Sequence, residues 1–173
     1  MSMQEIKSKI RLSGSTILRK KAKPIKSISG EEKKIFEEML QAMRKQGGIG
    51  LAAPQIGVDK KLIVVEVGNN LLMLANPVIL KSQGINILEE GCLSFPEVTI
   101  KIKRPKKITI SCLNQDNCSV KIEAEDVIAR ALVHEIDHLN GKLIIDYASL
   151  ADRIRLRKKL REIIKKSKEA NKE

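Results

Sequence analysis

An α+β fold is what this chain predicts: antiparallel strands and hairpins around a central helix, with an amphipathic helix at the C-terminal end. Three observations carry that expectation. Short runs between Ile85 and Ile122 alternate apolar and polar residues. Between Asp126 and Asn140 the apolar period changes to 3.6. Strand-like runs also come in hairpins ahead of the two late helices, which favours α+β over a parallel sheet with helical crossovers. At 173 residues the chain suits one core. The expected organisation is a body over residues 1–150 and a basic helix over 151–173, packed on it or extending from it.

Taken in order, Ser29 and Glu32 make a capping box for a helix over residues 31–46, with Ile35, Phe36, Met39, Leu40 and Met43 at helical spacing. Gly47 and Gly48 end it. Leu62 to Val67 and Leu71 to Leu74 flank the turn residues Gly68-Asn69-Asn70, a hairpin. Ile85 to Leu88 and Val98 to Ile102 read as strands. Ile108 to Leu113 and Cys118 to Ile122 flank a polar Asn114-Gln115-Asp116-Asn117 tip, a second hairpin whose register stays open. In the 126–140 helix, Val127, Ile128, Ala131, Leu132, Val133, Ile136 and Leu139 leave little polar surface, so it is expected to be buried, and Gly141 closes it. The last helix, 151–173, carries Ile154, Leu156, Leu160, Ile163 and Ile164 on its apolar side. Its ten Lys/Arg against four Asp/Glu supply half of the net charge of +12.

Composition removes several classes. Apolar residues at 42% and charged residues at 31% describe a globular chain, not a disordered one. No apolar run approaches the roughly 20 residues that cross a bilayer, so no membrane partner is expected. Met1 to Gly14 lacks the apolar core of a signal peptide. Three irregularly spaced cysteines suit neither a disulfide framework nor a four-cysteine zinc site. A reducing cytoplasm is the expected compartment. The positive charge points to polyanions such as ribosomes. With one Tyr, two Phe and no Trp there is no aromatic platform for stacking bases, so no sequence-specific nucleic acid is expected.

The chemistry concentrates around the histidines. Both of them lie in His134-Glu135-Ile136-Asp137-His138. Positions i and i+4 share a helix face, so two imidazoles can meet one metal ion with Glu135 beside them. The central helix is thus expected to bind metal. Catalytic sites of this kind usually have three protein ligands, and with no further histidine the third is a thiolate or a carboxylate. Glu162 has approximately the spacing of the third ligand in the peptidase form of the motif. Cys112 and Cys118 sit in a hairpin, as core or tip residues. Cys92 lies in Glu90-Gly91-Cys92-Leu93-Ser94-Phe95-Pro96, where a strand gives way to a turn. A third segment, Gly48-Ile49-Gly50-Leu51-Ala52-Ala53-Pro54-Gln55-Ile56-Gly57, lets backbone approach a ligand and offers the Gln55 amide. It lacks the Lys-Ser/Thr of a phosphate loop.

Together, Gly48 to Gln55, Glu90 to Ser94 and His134 to Leu139 resemble the three ordered motifs of the polypeptide deformylases, metallohydrolases that remove the formyl group from new polypeptides. The likeness extends through Ile17 to Pro24, Arg104-Pro105 and Gly141 to Tyr147, covering roughly residues 14–150. The resemblance implies Cys92, His134 and His138 as ligands of one ion per chain: Fe(II) foremost, with Zn(II), Ni(II) or Co(II) as alternatives. A thiolate and two imidazoles suit these ions and exclude a Mg- or Ca-type site. It further implies Glu135 as the proton carrier, and the Gln55 amide and Leu93 N–H as oxyanion donors. An N-formylmethionyl peptide is then the substrate, bound extended near Gly50, Glu90 and Gly91, with Ile49, Leu88, Val127 and Ala131 lining the methionine pocket. Arg130 is expected at the pocket edge or against a carboxylate. Thr99 and Val133 depart from residues common in the family, at places that bear on affinity more than on chemistry.

Two rival functions use the same residues differently. One is an endopeptidase with Glu162 as third ligand. The other is a basic ribosome- or RNA-binding protein with a structural metal, in which the tail helix is the working part.

Overall fold

A computed structural model describes residues 10–170 of the chain. Expectations for residues 1–9 and for the last turn of the tail, 171–173, lie outside the described residues. Helix α1, Gly30–Lys45, starts on the expected box: Ser29 Oγ accepts from the Glu31 N–H, and Glu32 reaches back to the Ser29 N–H at 2.9 Å. Such a cap contributes about 1 kcal/mol. Its apolar stripe of Ile35, Phe36, Met39 and Met43 is buried.

Five antiparallel strands form the main sheet, in the order β1 (Gly50–Ala52), β2 (Leu62–Val67), β3 (Asn70–Gln83), β6 (Lys107–Leu113) and β7 (Ser119–Glu125). Strand β2 explains its continuous apolar run. Ile63 and Val65 face one cluster, with Leu132, Val133 and Ile136 of the central helix, while Leu62 and Val64 face the α1 cluster. A strand covered on both faces needs no polar alternation. Both expected hairpins form, and Ile110 opposite Ile122 supplies the register of the second.

The first hairpin differs from expectation in length. Strand β3 runs nine residues beyond Leu74, across Asn76-Pro77, which locally reads as a break. A bulge between Ala75 and Val78 accommodates it. There Asn76 takes φ 51° and clamps Ile25, its Oδ1 accepting from the Ile25 N–H and its Nδ2 donating to the Ile25 carbonyl. Proline is tolerated at such a bulge because no ladder N–H is required of it.

Strands β4 (Asn86–Cys92) and β5 (Phe95–Arg104) form a separate two-stranded sheet. Helix α2, Asp126–Leu139, lies on the main sheet, with the expected Ala131, Leu132, Val133, Ile136 and Leu139 in the core and Ala129 beside them. Val127, expected buried, is instead half exposed and Ile128 only partly covered, because the first turn reaches past the sheet. Gly141 then turns the chain at φ 72°, where a Cβ would stand 2.5 Å from the Arg19 carbonyl oxygen. No larger residue fits that turn.

Helix α3, Leu150–Ala170, lies against β5. Leu156 and Ile163 join Val98, Ile100, Ile102 and Leu18 in a third cluster, and Leu160 packs at its border. Ile154, expected on this apolar side, is instead 68% exposed. It lies two positions before Leu156, which places it on nearly the opposite face. Among the described residues no helix is long and apolar enough to cross a membrane.

Candidate metal centre

Helix α2 is nearly covered, so the polar atoms on its inner face must find partners or bind a ligand. Its period sets His134 and His138 on one face. The end of β4 brings Cys92 to them, just after the register slips between Gly91 and Cys92. Cys92 Sγ lies 3.2 Å from His138 Nε2, and one ligand atom from each of Cys92, His134 and His138 falls within 4.8 Å of the others. Glu162 is not in the cluster: it sits exposed on α3. Cys112 is buried in the main core and Cys118 exposed at the hairpin tip.

The donor set fits a transition ion. Soft thiolate and imidazole nitrogen are the ligands that such ions prefer. Glu135 Oε2 and His138 Nδ1 are also buried without a hydrogen-bond partner among the described residues. Burial holds the His138 imidazole well below its ordinary pKa, hence neutral. Burial also opposes charge on His134, but hydrogen bonds to Cys92 and Glu90 hold its pKa well above the ordinary value. The His134 Nδ1 faces Glu90 Oε2 at 3.1 Å, so its other nitrogen is the one presented to the cluster.

Glu135 points to the same place from the helix. Burial pushes its carboxyl up to about 7. Gly50, on β1, lies directly against it, and any Cβ there would collide with Glu135 Oε1. Gln55 is held in a short 3-10 turn, Ala53–Ile56. Its Oε1 accepts from the Ala52 N–H at 2.8 Å, which orients the amide so that Nε2 faces Cys92 Sγ at 3.6 Å and Ser94 Oγ at 3.2 Å. Leu93 packs where a side chain on Gly48 would stand, its Cδ1 only 2.8 Å from that Cβ position.

Ile49, Leu88 and Val127 are each about half exposed, whereas Ala131 is buried. Glu90 and Arg130 form one ion pair. Both are buried, and Arg130 donates to the Glu90 carboxylate at 2.5 Å and to the carbonyls of Ile102 and Asn86. Of the two places expected for Arg130, it takes the one against a carboxylate. Glu90 is left with its backbone alone for a ligand.

Sequence reasoning missed the residue at the centre of this wall. Arg104, 3% exposed, binds Glu90 through Nε at 2.9 Å and Nη2 at 3.0 Å. Its Nη1 donates to Asp137 Oδ2 at 2.5 Å. The family resemblance takes in Arg104-Pro105 without giving it a role; the available signal was the register of Arg104, which is the inward one of Val98, Ile100 and Ile102 rather than the outward one of Lys101 and Lys103.

The polypeptide deformylase family model matches residues 7–153. A peptide deformylase of Thermoanaerobacter pseudethanolicus is 49% identical over 139 residues, 80% of this chain and 87% of that protein. One from Thermotoga sp. is 44% identical over 156 residues, covering 90% and 95%. Among solved structures, the peptide deformylase of Thermus thermophilus superposes with a TM-score of 0.87 at 35% identity, covering 91% of this chain and 98% of that one. That of Thermotoga maritima does so with 0.79 at 43%, covering 82% and 97%. A match of this extent in sequence and in fold, around a cysteine and two histidines already gathered at one point, places the chain in the polypeptide deformylase family.

Proposed function

We propose that this protein hydrolyses the N-formyl group from N-formylmethionyl peptides, releasing formate. The observation that carries it is the convergence of Glu135 and the Gln55 amide on the Cys92–His134–His138 cluster. A divalent ion held by these three residues would supply a Lewis acid and would lower the pKa of a water toward about 7. Glu135, with its pKa near 7, can take a proton from the attacking water and return it to the departing amine. Such a role is worth about 10²–10⁴ in rate. Gln55 Nε2 and the Leu93 N–H donate to the oxyanion that forms on the formyl carbon.

Strand pairing supports an extended substrate. Among the described residues, strand β1 pairs only with β2, and β4 only with β5, so each keeps an open edge next to the cluster. A peptide adding along Gly50 and Gly91 would satisfy those groups. The methionine side chain would enter between Ile49, Leu88, Val127 and Ala131.

Fe(II) is the proposed physiological ion, with Zn(II), Ni(II) and Co(II) able to replace it. The cytoplasm, where nascent chains emerge, is the proposed location. The ribosome is a proposed partner through Arg157, Arg161, Lys165 and Lys168, all exposed on α3. Because Leu156 and Ile163 belong to the core, replacing those four cations by Gln tests docking better than removing the helix does. Weaker, less salt-sensitive ribosome co-sedimentation is expected.

The decisive assay incubates anaerobic Fe(II)- or Ni(II)-loaded protein with formyl-Met-Ala-Ser and with its acetyl counterpart. Formate from the formyl peptide alone is expected. Internal cleavage would establish an endopeptidase instead, and absence of turnover by folded, loaded protein would return the metal to a structural role.

A further inference from the structure

Asp137 sits between the two histidines of the motif yet has no part in the chemistry above. Its side chain points away from the cluster, toward β5 and the segment that leads into α3. There Asp137 Oδ2 accepts from Arg104 Nη1 at 2.5 Å and from the Tyr147 hydroxyl at 2.7 Å. The Tyr147 ring covers the Arg104 guanidinium, 4.7 Å from ring centroid to Cζ. Arg104 in turn grips both oxygens of Glu90, and Glu90 Oε2 meets His134 Nδ1.

The charges along this path close on themselves. Two guanidinium groups, Arg104 and Arg130, face two carboxylates, Glu90 and Asp137. No side-chain atom of these four residues is buried without a partner. Without Asp137, Arg104 would retain one carboxylate for its buried charge, and Glu90 would be drawn from His134 toward the guanidinium. Satisfied buried networks hold one geometry, whereas partly satisfied ones do not. We infer that Asp137 and Tyr147 are positioning residues, which act through Arg104 and Glu90 to hold His134 in the orientation that binds the metal ion.

This deepens the deformylase function proposed for the same site and rests on it. The test replaces the native ion by Co(II), whose visible absorption reports ligand geometry, and compares wild type with Asp137→Asn and Tyr147→Phe. Tyr147→Phe removes only a hydroxyl and keeps the ring over Arg104, so it remains informative if Asp137→Asn fails to fold. Both variants are expected to shift the Co(II) band and to lose the ion to a chelator faster, by about 10–100-fold for Asp137→Asn and less for Tyr147→Phe. Catalysis with saturating metal should show a lower kcat at nearly unchanged KM.

Asp146→Asn is the control. It removes the charge that pairs with Arg19 and weakens the acceptor of the Leu143 N–H in the same turn, so it should lower stability and leave the band in place. Folded Tyr147→Phe with a wild-type band and wild-type metal release would overturn the inference. A band that moves equally in Asp146→Asn would overturn it too, by reducing the effect to general loosening. Formate release by wild type separates these failures from failure of the deformylase function, since it does not depend on the variants.

Discussion

Two buried glutamates close to His134 differ in how they hold a proton. Glu90, on the β4–β5 wall, loses favourable hydration on burial. Hydrogen bonds from His134 and Arg104 outweigh that loss and keep its carboxyl at about 2. Glu135, on the α2 wall, is buried too, but no cation among the described residues bonds to it, and its carboxyl rises to about 7. Burial alone therefore does not decide a carboxylate's role; the partners that come with it do. One wall keeps a fixed charge that orients a ligand, and the other keeps a proton in play near neutral pH. A pair of like groups with pKa values driven apart is how a site divides its tasks.

The sharpest way to break this contrast is to remove each charge in turn. Glu135→Gln should lower formate release by about 10²–10⁴-fold while metal content stays that of wild type. Its Tm should not fall, because no buried cation loses a partner. Glu90→Gln should do the reverse in stability: it leaves Arg104 and Arg130 short of a counter-charge, at a cost of about 3–5 kcal/mol. Denaturant unfolding of the two variants checks both outcomes together. Equal stability losses would mean that the two walls are not different in kind.

A smaller effect is expected from crowding the Glu135 side alone. Gly50→Ala places a methyl against Glu135 Oε1 and must displace the carboxylate. A misplacement on the order of 1 Å costs roughly 10²-fold in rate. A variant with wild-type kcat/KM would show that the carboxylate is not held where the structure puts it.

The subtlest difference lies in pH dependence of the metal-free protein. Between about 4.5 and about 7, folded protein keeps the Glu135 proton that the unfolded chain has released. Its stability contribution therefore declines as pH rises through that window. Glu90 acts oppositely: its contribution is complete above about 4.5 and is lost as pH falls toward about 2. Urea unfolding at about pH 5 and about pH 8 should show a steeper decline in wild type than in Glu135→Gln, which keeps the His134 contribution. The same slope in both would assign the decline to other groups.

Much of the frame was legible in local sequence. The box at Ser29 and Glu32, the apolar stripe of α2 and both hairpin turns are local patterns, and each is found where its own residues direct. The pairing of His134 with His138 is equally local, because one helical turn is enough to set two side chains side by side. Where local pattern and tertiary demand disagreed, the tertiary demand prevailed. Asn76-Pro77 reads as a break, yet β3 crosses it because the bulge and the clamp on Ile25 absorb the irregular backbone. Ile154 counts as apolar but faces outward, because the seam of α3 is set by Leu156, Leu160 and Ile163 against β5.

Alone, the sequence determined most of the elements, most of the buried face of α2 and the histidine pair, since those depend on periods of two to four residues. Only the tertiary structure decided which charges meet. Glu90 finds Arg104 fourteen residues away, Arg130 forty away and His134 forty-four away. No local period encodes such partners. They are selected by the way the β4–β5 sheet is brought to face α2, and the burial that makes each charge costly to leave unpaired makes the pairing specific.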